Sequence, residues 1–430
     1  MSAYETRPRR PQSSGRSTVL IIGALILTGG LMLIVPGMLV PSATSSEGAD
    51  ASRATVTPPP SMEVSPFRSV AWEIRRLPRS DDNVLYRLLR LNDRLILVGQ
   101  GRTALIAWYS DDQGLAWTPA RLSGEGPPRD DAVPHVTGIA GRDTRLIASG
   151  GWNNKDRTES LESFLLVSDD SGATWRSVPS LPRLEHTEFE LIRGVSDRFL
   201  GYGFDMQDGT HGWWESTDGI TWAPAAVIGL PEGQPPTDLA TGALGSAAVG
   251  SSSSGTSSTP AVWWSDDAHS WTSALKPGGP AFGFAIRVAA GQHGFAAAGS
   301  TWTDPRGDMD AGKATLWRSD DGHTWSAMIM SEDAGRHSGG VAVNNAGIVA
   351  ILIEPNSANV PDEQLVFVAH GSDVVSAIGA PVSVLDVVAT PDQFIALARC
   401  QDAPGCTENY LLIGTPSEAA QVAAPTLPLP

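Results

Sequence analysis

Five copies of one short phrase recur along the chain, each running from a serine through one or two aspartates to a tryptophan. The closing tryptophans lie 58, 47, 49 and 54 residues apart, and self-similarity at about this period is typical of a stacked array or a propeller. The repeat therefore constrains the architecture strongly and the biochemical activity only weakly. The copies are Ser110–Trp117, Ser168–Trp175, Ser216–Trp222, Ser265–Trp271 and Ser319–Trp325.

Each copy is predicted to be a tight turn between two strands, because a short apolar or aromatic run precedes it and an extended stretch follows. An aspartate early in such a turn accepts hydrogen bonds from backbone amides two or three residues on, and glycine adopts a positive φ at no steric cost. The aspartates predicted to hold these turns are Asp112, Asp170, Asp218, Asp267 and Asp321.

The phrase resembles the Asp box, or BNR repeat, of sialidases and sialidase-like propellers. Ser168–Trp175 matches the pattern S-x-D-x-G-x-T-W throughout, whereas three copies are one residue shorter and Ala116 and Ser270 replace the threonine. The resemblance covers roughly residues 67–417. It implies that the box is a structural turn on the face opposite the ligand site, and not a catalytic or calcium-binding element.

A second pattern lies upstream of every box: a strand, a polar turn and a strand that ends near a glycine. Two more copies, Val341–Leu352 and Val387–Ala398, lack a good box, which brings the count to seven. Their spacings of 51, 53, 47, 49, 53 and 46 residues suit four-stranded propeller blades. The predicted fold is an all-β, seven-bladed β-propeller of four-stranded antiparallel blades, occupying residues 67–417.

The seventh unit reaches only its third strand, Tyr410–Gly414, before the repeat ends. The stretch Ser69–Pro78 resembles the fourth strands of the other units, such as Ala116–Leu122. We expect this N-terminal strand to complete the last blade, because such a closure removes the open edge of the ring.

Residues 19–40 contain 22 consecutive positions without a charge, which is long enough to span a hydrocarbon core. Four arginines lie in the preceding tail, residues 1–18, and the first charges after the segment are acidic. By the positive-inside rule, the tail is cytoplasmic and the rest of the chain lies outside the cell. We expect one uncleaved transmembrane helix before the propeller; a cleaved signal peptide is the alternative.

Residues 41–66 are rich in Ser, Thr, Ala and Pro, which predicts a linker that cannot build a core. Residues 418–430 have a similar bias and are expected to form a loose tail. The two cysteines, Cys400 and Cys406, flank a predicted hairpin loop of the last blade. An extracytoplasmic location favours a disulfide between them, with two free thiols as the alternative.

Charge narrows the range of partners. Removing the +3 of the N-terminal tail from the chain's net charge of −17 leaves −20 for the rest. A surface this acidic repels nucleic acid and anionic lipid headgroups, so no nucleic-acid partner is expected. Lysine occurs only three times while arginine is common, a bias often found in high-GC bacteria.

Four charged residues occupy equivalent positions on the innermost strands, here called one level, when the seven units are aligned on their second strands. Blades 1 and 7 adjoin, as do blades 4 and 5, so Arg87 is expected to face Asp386 and Asp238 to face Arg287. Two interpretations stay open: a pair of inter-blade ion pairs, because buried charges need partners, or a polar binding floor at the channel mouth. The aligned residues are Arg87, Gly138, Leu191, Asp238, Arg287, Gly340 and Asp386.

The resemblance also raises the possibility of catalysis. Sialidases hold a sugar carboxylate with an arginine cluster, and many use a tyrosine nucleophile assisted by a glutamate. Arg76-Leu77-Pro78 is similar to a motif that precedes the first box in that family, although Arg75 stands where an aromatic residue is expected. Sialidases have six blades, so seven would change the geometry. The catalytic candidates are Arg76, Arg87, Arg287, Tyr86 and Glu190, with Arg193 as a further arginine that could converge.

The sequence thus favours a membrane-anchored, extracytoplasmic propeller that acts as a ligand- or protein-binding scaffold at the cell envelope. A sialidase-like exo-glycoside hydrolase is the alternative, and an assembly factor for a membrane complex is a third. The partner is expected to be an envelope protein or a glycan. No cofactor is expected, and no metal, because the eight histidines are scattered without the paired spacing of a zinc site.

Overall fold

The computed structural model describes residues 65–419 apart from gaps at 79–83, 102–103, 125–127, 157–159, 179–186, 206–208, 232–233, 255–256, 276–281, 305–311, 334, 354–363, 374, 380–381 and 400–407. The predicted cytoplasmic tail, transmembrane helix and disulfide, and nearly all of the predicted linker and C-terminal tail, lie outside these residues. In the described part, the structure contains no helix with the length and apolarity needed to cross a bilayer.

Seven antiparallel sheets confirm the predicted seven-bladed propeller. Blade 1 contains β2 (Val84–Leu91), β3 (Arg94–Gln100), β4 (Leu105–Ser110) and β5 (Thr118–Pro119). Blade 2 contains β7 (Val133–Arg142), β8 (Arg145–Asn153), β9 (Ser160–Ser168) and β10 (Thr174–Ser177), and blade 3 contains β11 (Thr187–Val195), β12 (Arg198–Asp205), β13 (His211–Ser216) and β14 (Ala223–Pro224).

The remaining blades repeat this order from the innermost to the outermost strand. Blade 4 contains β15 (Asp238–Gly242), β16 (Gly245–Ser254), β17 (Ser257–Ser265) and β18 (Thr272–Ser273). Blade 5 contains β19 (Phe282–Gly291), β20 (Gly294–Trp302), β21 (Lys313–Ser319) and β22 (Ser326–Ile329), and blade 6 contains β23 (His337–Val343), β24 (Gly347–Ile353), β25 (Gln364–Ala369) and β26 (Val375–Gly379).

Blade 7 combines the two ends of the domain. It contains β27 (Ser383–Ala389), β28 (Phe394–Arg399), β29 (Asn409–Ser417) and, as its outermost strand, β1 (Ser69–Arg76). The β1–β29 ladder is antiparallel over eight residue pairs, from Ser69 with Ser417 to Arg76 with Tyr410. The N-terminal strand therefore closes the ring as the sequence predicts.

Blade 2 departs from the four-strand rule. The short strand β6 (Arg121–Ser123) lies parallel to the outermost strand β10 and makes it a five-stranded sheet. This strand belongs to the chain segment that leaves blade 1, so it links the outer edges of two neighbouring blades.

A β-bulge recurs at one position of the innermost strands. The register shifts around Tyr86, Thr137, Glu190, Ile286, Gly339 and Leu385, which are equivalent residues of six blades. A bulge inserts one unpaired residue and re-aims the side chains beside it. Its repetition therefore sets the direction of the charged residues that follow it in the channel.

The repeated serine–aspartate turns connect the third and fourth strands of blades 1 to 5. In blade 3, Ser216 Oγ accepts the Gly219 amide at 2.7 Å and Asp218 Oδ1 accepts the Thr221 amide at 2.7 Å. Trp222 closes the turn by donating from Nε1 to the Gly219 carbonyl. The aspartates of the other four turns accept backbone amides in the same way.

Glycine in these turns also permits contact with the preceding blade. Gly219 has φ of +69°, and a Cβ added there would lie 2.5 Å from Cδ1 of Ile147 in blade 2. Gly114 has φ of +87°, and its Cβ would lie 2.4 Å from a methyl group of Leu411 in blade 7. The turn thus packs one blade against the next, and any larger side chain would force them apart.

Arginines near the start of the second strand donate hydrogen bonds to the serine–aspartate turns of the next blade. Arg94 of blade 1 donates to the carbonyls of Asp170 and Ser171 in blade 2. Arg145 of blade 2 donates to the Asp218 carbonyl in blade 3 at 2.7 Å, and Arg198 of blade 3 donates to the Asp267 carbonyl in blade 4 at 3.3 Å. These side chains cross-link successive blades on the box face.

The turn aspartates make stability depend on pH. Backbone amides of Ser270 and His269 lower the pKa of Asp267 to about 2, from an unfolded value near 3.9. A carboxylate with a lowered folded-state pKa stabilises the fold above the unfolded pKa, and this stabilisation is lost as pH falls towards 2. We expect the gap in urea midpoint between the wild type and Asp267→Asn to narrow between pH 5 and pH 2.5. A gap that is constant over this range would contradict the prediction.

Candidate functional site

The central channel holds a cavity of about 420 Å³ lined by the innermost strands of all seven blades. Pockets that bind small ligands commonly have volumes of 300–1,000 Å³. Its lining includes all four charged residues that the sequence alignment places on one level, together with Arg193 and Glu190. They are Arg87, Glu190, Arg193, Asp238, Arg287 and Asp386.

Three guanidinium groups converge in this cavity. Burial lowers the pKa of Arg87, and repulsion by Arg287 and Arg193 lowers it further, while Asp386 and Asp238 act in the opposite direction. All three side chains line the same cavity, although blades 1, 3 and 5 supply them. Arginine stays protonated under all ordinary conditions, so these three residues and Arg90, which also lines the cavity, give it four fixed positive charges.

Asp238 fastens three blades together. It is 3% exposed, and its carboxylate forms an ion pair with Arg193 of blade 3. Its Oδ1 also accepts the Leu239 amide at 2.9 Å, and its Oδ2 accepts the Val288 amide of blade 5 at 3.1 Å. Both carboxylate oxygens are therefore engaged within the protein.

Asp386 has the equivalent role at the closure of the ring. Its Oδ2 accepts the Leu88 amide of blade 1 at 3.2 Å, and its Oδ1 accepts the Val387 amide at 3.0 Å. Burial raises the pKa of the Asp386 carboxyl above its ordinary value, and the charge of Arg87 offsets part of this rise. The carboxyl joins blade 7 to blade 1 through backbone amides.

The expected ion pairs between equivalent residues need correction. Among the described residues, the channel ion pair closer than 4.0 Å is Arg193–Asp238, and neither Arg287–Asp238 nor Arg87–Asp386 reaches that distance. Side chains at this level point towards the following blade: Asp238 reaches Val288, and Arg87 reaches the Thr137 carbonyl of blade 2. Arg287 instead donates to the carbonyl of its neighbour Ile286, and Asp238 is paired with an arginine of blade 3.

Arg87 and Arg287 keep most of their donor capacity. Arg87 makes one hydrogen bond in the described part of the chain, to the Thr137 carbonyl at 3.4 Å, and Arg287 makes one, to the Ile286 carbonyl at 3.2 Å. Each guanidinium has five N–H donors. Two half-buried cations with spare donors thus lie in one cavity.

Glu190 lies on the rim of the same cavity. Its side chain is 52% exposed and lies 3.5 Å from Nε2 of His211 on β13. Two residues earlier, Glu188 accepts a 2.7 Å hydrogen bond from His135 of blade 2. The blade 2–3 side of the rim therefore carries two carboxylates, each beside a histidine.

The other catalytic candidates are not assembled into one site. Arg76 lies on the outermost strand of blade 7, three strands from the channel, 3.5 Å from Glu408. Tyr86 lies at the bulge of β2, and its side chain is outside the described residues. Among the described residues, no group of three or more His, Cys, Asp or Glu side chains could hold a metal ion.

Hairpins of blades 2 to 5 extend above the cavity. Gly99, Gly150, Gly203, Gly250 and Gly299 are equivalent, and β8, β12, β16 and β20 continue two to four residues beyond this level. At about 3.3 Å per residue, these strands rise roughly 7–13 Å above the glycines. Four neighbouring blades therefore have second strands whose described ends extend beyond the level of these glycines.

Comparisons with known proteins agree on the fold. No protein-family model matches the chain, and no curated protein matches it. The solved structure of YCF48 bound to D1 peptide superposes with a TM-score of 0.50 at 13% identity, covering 84% of this chain and 100% of that one. YCF48 from Cyanidioschyzon merolae gives 0.44 at 11%, covering 80% and 98%, and phage phi92 endosialidase gives 0.42 at 9%, covering 84% and 69%. At these identities, the similarity defines a β-propeller and nothing finer.

Proposed function

We propose that this chain is a binding or scaffolding propeller whose channel mouth takes a carboxylate of an envelope protein or glycan. The observation that carries the proposal is the pair Arg87 and Arg287, half-buried in one cavity, each with a single backbone hydrogen bond among the residues that the structure describes. The planar fork of arginine suits bidentate recognition of a carboxylate. The similar YCF48 structure holds a peptide, and a polypeptide is the ligand that we favour here.

Acetate tests the site directly. If acetate binds with a Kd of about 10 mM, then 0.1 M acetate stabilises the fold by about 1.4 kcal/mol relative to 0.1 M chloride. We expect a melting temperature about 2 °C higher in acetate, and no such rise for the double variant Arg87→Ala/Arg287→Ala. Arg121→Ala, which removes an exposed arginine on β6, is the control and should keep the full response. An equal response in all three proteins would refute a carboxylate site at these arginines.

The location at the membrane is part of the proposal. The uncharged segment 19–40, with arginines before it and acidic residues after it, supports a single-pass anchor with the propeller outside the cell. Fractionation of cells expressing the full chain should place it in the membrane pellet, resistant to carbonate extraction. Recovery of a shortened chain from the medium would favour a cleaved signal peptide instead.

The sialidase-like hydrolase remains a second candidate because Glu190 lines the cavity that holds the three arginines. Against it, both oxygens of Asp238 and of Asp386 accept backbone amides, so neither carboxyl is arranged for proton transfer to a substrate. Turnover of a fluorogenic sialoside that is lost in Glu190→Gln would support the hydrolase. No turnover across a panel of glycosides would support a binding module.

A further inference from the structure

The charges around the channel mouth differ in sign from those inside it. The chain has a net charge of −17, and Glu188 and Glu190 lie on the rim, with Glu190 half exposed. Four arginines and two aspartates line the cavity. Asp93 lies 3.6 Å from Arg90, so the four arginines and three carboxylates together leave one net positive charge. A ligand therefore crosses a negative field before its acidic group reaches the guanidiniums, and that field repels any carrier of several negative charges.

One net positive charge matches one carboxylate. Arg193 is already paired with Asp238, and the carboxyl of Asp386 lies in the electrostatic range of Arg87, so a dianion such as phosphate would be left partly uncompensated. Desolvating an unpaired charge is costly. The site consequently favours a monovalent acid over a phosphate or a cluster of acidic side chains.

The shape of the mouth favours the end of a chain. The extended ends of β8, β12, β16 and β20 disfavour a polypeptide lying across the channel, whereas a terminus enters along the axis. The inner edges of the seven innermost strands have no neighbouring strand in their sheets, and such edges offer backbone groups to an extended peptide. A chain end can thus be held by its carboxylate and by its own backbone.

We propose that the channel binds the C-terminal carboxylate of a polypeptide whose last residues are neutral or basic. This inference rests on the proposed function, because it uses the same arginines, and it adds the class of partner and its charge. Basic residues upstream of the terminus lie opposite Glu188 and Glu190. The rim thereby selects against acidic termini, which the arginines alone would accept.

Four fluorescent octapeptides of one sequence test the proposal: one with a free C-terminus, its C-terminal amide, and two with three upstream residues changed to Lys or to Glu. By fluorescence anisotropy in 50 mM salt, we expect the amide to bind at least tenfold more weakly than the free acid. We expect the Lys peptide to bind at least tenfold more tightly than the Glu peptide. This ratio should shrink at 0.5 M salt, because exposed charges are then screened.

Two variants test which carboxylate causes the preference for the Lys peptide over the Glu peptide. Glu190→Gln should reduce the Lys-to-Glu ratio severalfold, whereas Asp266→Asn, an exposed carboxylate on the box face, should leave it unchanged. If acid and amide bind equally, or if the Glu peptide binds more tightly, the inference is wrong while the acetate response still supports a carboxylate site. Acetate binding as tightly as the best peptide would also overturn it, in favour of a small acid. If neither acetate nor any peptide responds to the loss of Arg87 and Arg287, the proposed function fails as well.

Discussion

Asp238→Ala is expected to destabilise the propeller by about 3 kcal/mol. The substitution leaves the buried amides of Leu239 and Val288 without their acceptor, and an unsatisfied buried donor costs about 1–3 kcal/mol. It also removes the partner of Arg193, a contribution that is small because Arg193 is about one-third exposed. Urea unfolding followed by tryptophan fluorescence measures the change in the free energy of unfolding.

Asp266→Ala is the matched control, since it removes an exposed aspartate from the same blade. Its effect should stay within about 0.5 kcal/mol, as for most surface substitutions. Equal effects of the two substitutions would mean that the carboxylate of Asp238 does not hold blades 3, 4 and 5 together. Asp386→Ala should behave like Asp238→Ala, because Asp386 joins blades 7 and 1 in the same manner.

Removal of residues 67–80 is expected to abolish folding of the soluble domain. Val70, Trp72 and Ile74 of β1 are buried in the cluster that fills blades 6 and 7. Burial of such side chains contributes about 1.5–3 kcal/mol each, which together approaches the total stability of a typical domain, 5–15 kcal/mol. The deletion also exposes β29 as a long apolar edge, which promotes aggregation.

A complementation experiment makes this second prediction specific to the strand. A synthetic peptide of residues 67–80, added while the truncated domain refolds, should restore soluble protein, and a scrambled peptide should not. Within the full chain, Trp72→Ala should cost about 3–5 kcal/mol and Trp72→Phe much less. A truncated domain that is soluble with an unchanged melting temperature would contradict the assignment of β1 to blade 7.

The number of blades could be predicted because each blade repeats the same local requirements. An aspartate that accepts amides and a closing tryptophan recur at each of the five turns. A glycine with positive φ occurs in four of them and Ala268 takes its place in the fifth, and these requirements are visible in single residues. Alignment of the second strands also placed Leu88 and Val387 at equivalent positions, as the strand registers confirm. Blade 6 can be predicted although it lacks a box, because its first two strands, which include Val341, keep the apolar pattern of the other blades.

The pairing of charges in the channel could not be predicted from the same alignment. The alignment correctly predicts that Asp238 and Arg287 occupy equivalent positions on the innermost strands. It does not predict the direction in which each side chain points. In blades 1, 5 and 7 a bulge comes directly before the charged residue. The described register of blade 4 has no bulge, yet Asp238 contacts the backbone of blade 5 while its ion pair comes from blade 3. A bulge has no sequence signature among residues as different as Glu190 and Gly339.

The arginines that fasten the boxes were also missed, although a signal exists. Arg94, Arg145 and Arg198 occupy equivalent positions at the start of the second strand. Their contacts to the next blade are with backbone carbonyls, and carbonyl acceptors leave no trace in the sequence. Three equivalent arginines one unit apart would have been enough to suggest a shared role.

The pairing of Ser69 with Ser417 has a mechanical consequence. The chain enters and leaves the ring at the same end of one ladder. Tension between residues 68 and 418 therefore breaks the β1–β29 hydrogen bonds one after another, starting at that end. Tension on the N-terminal side alone, resisted by a ligand in the channel, would pull along the strand and load those bonds together. The ring should therefore withstand traction from its leading end far better than stretching between its two ends.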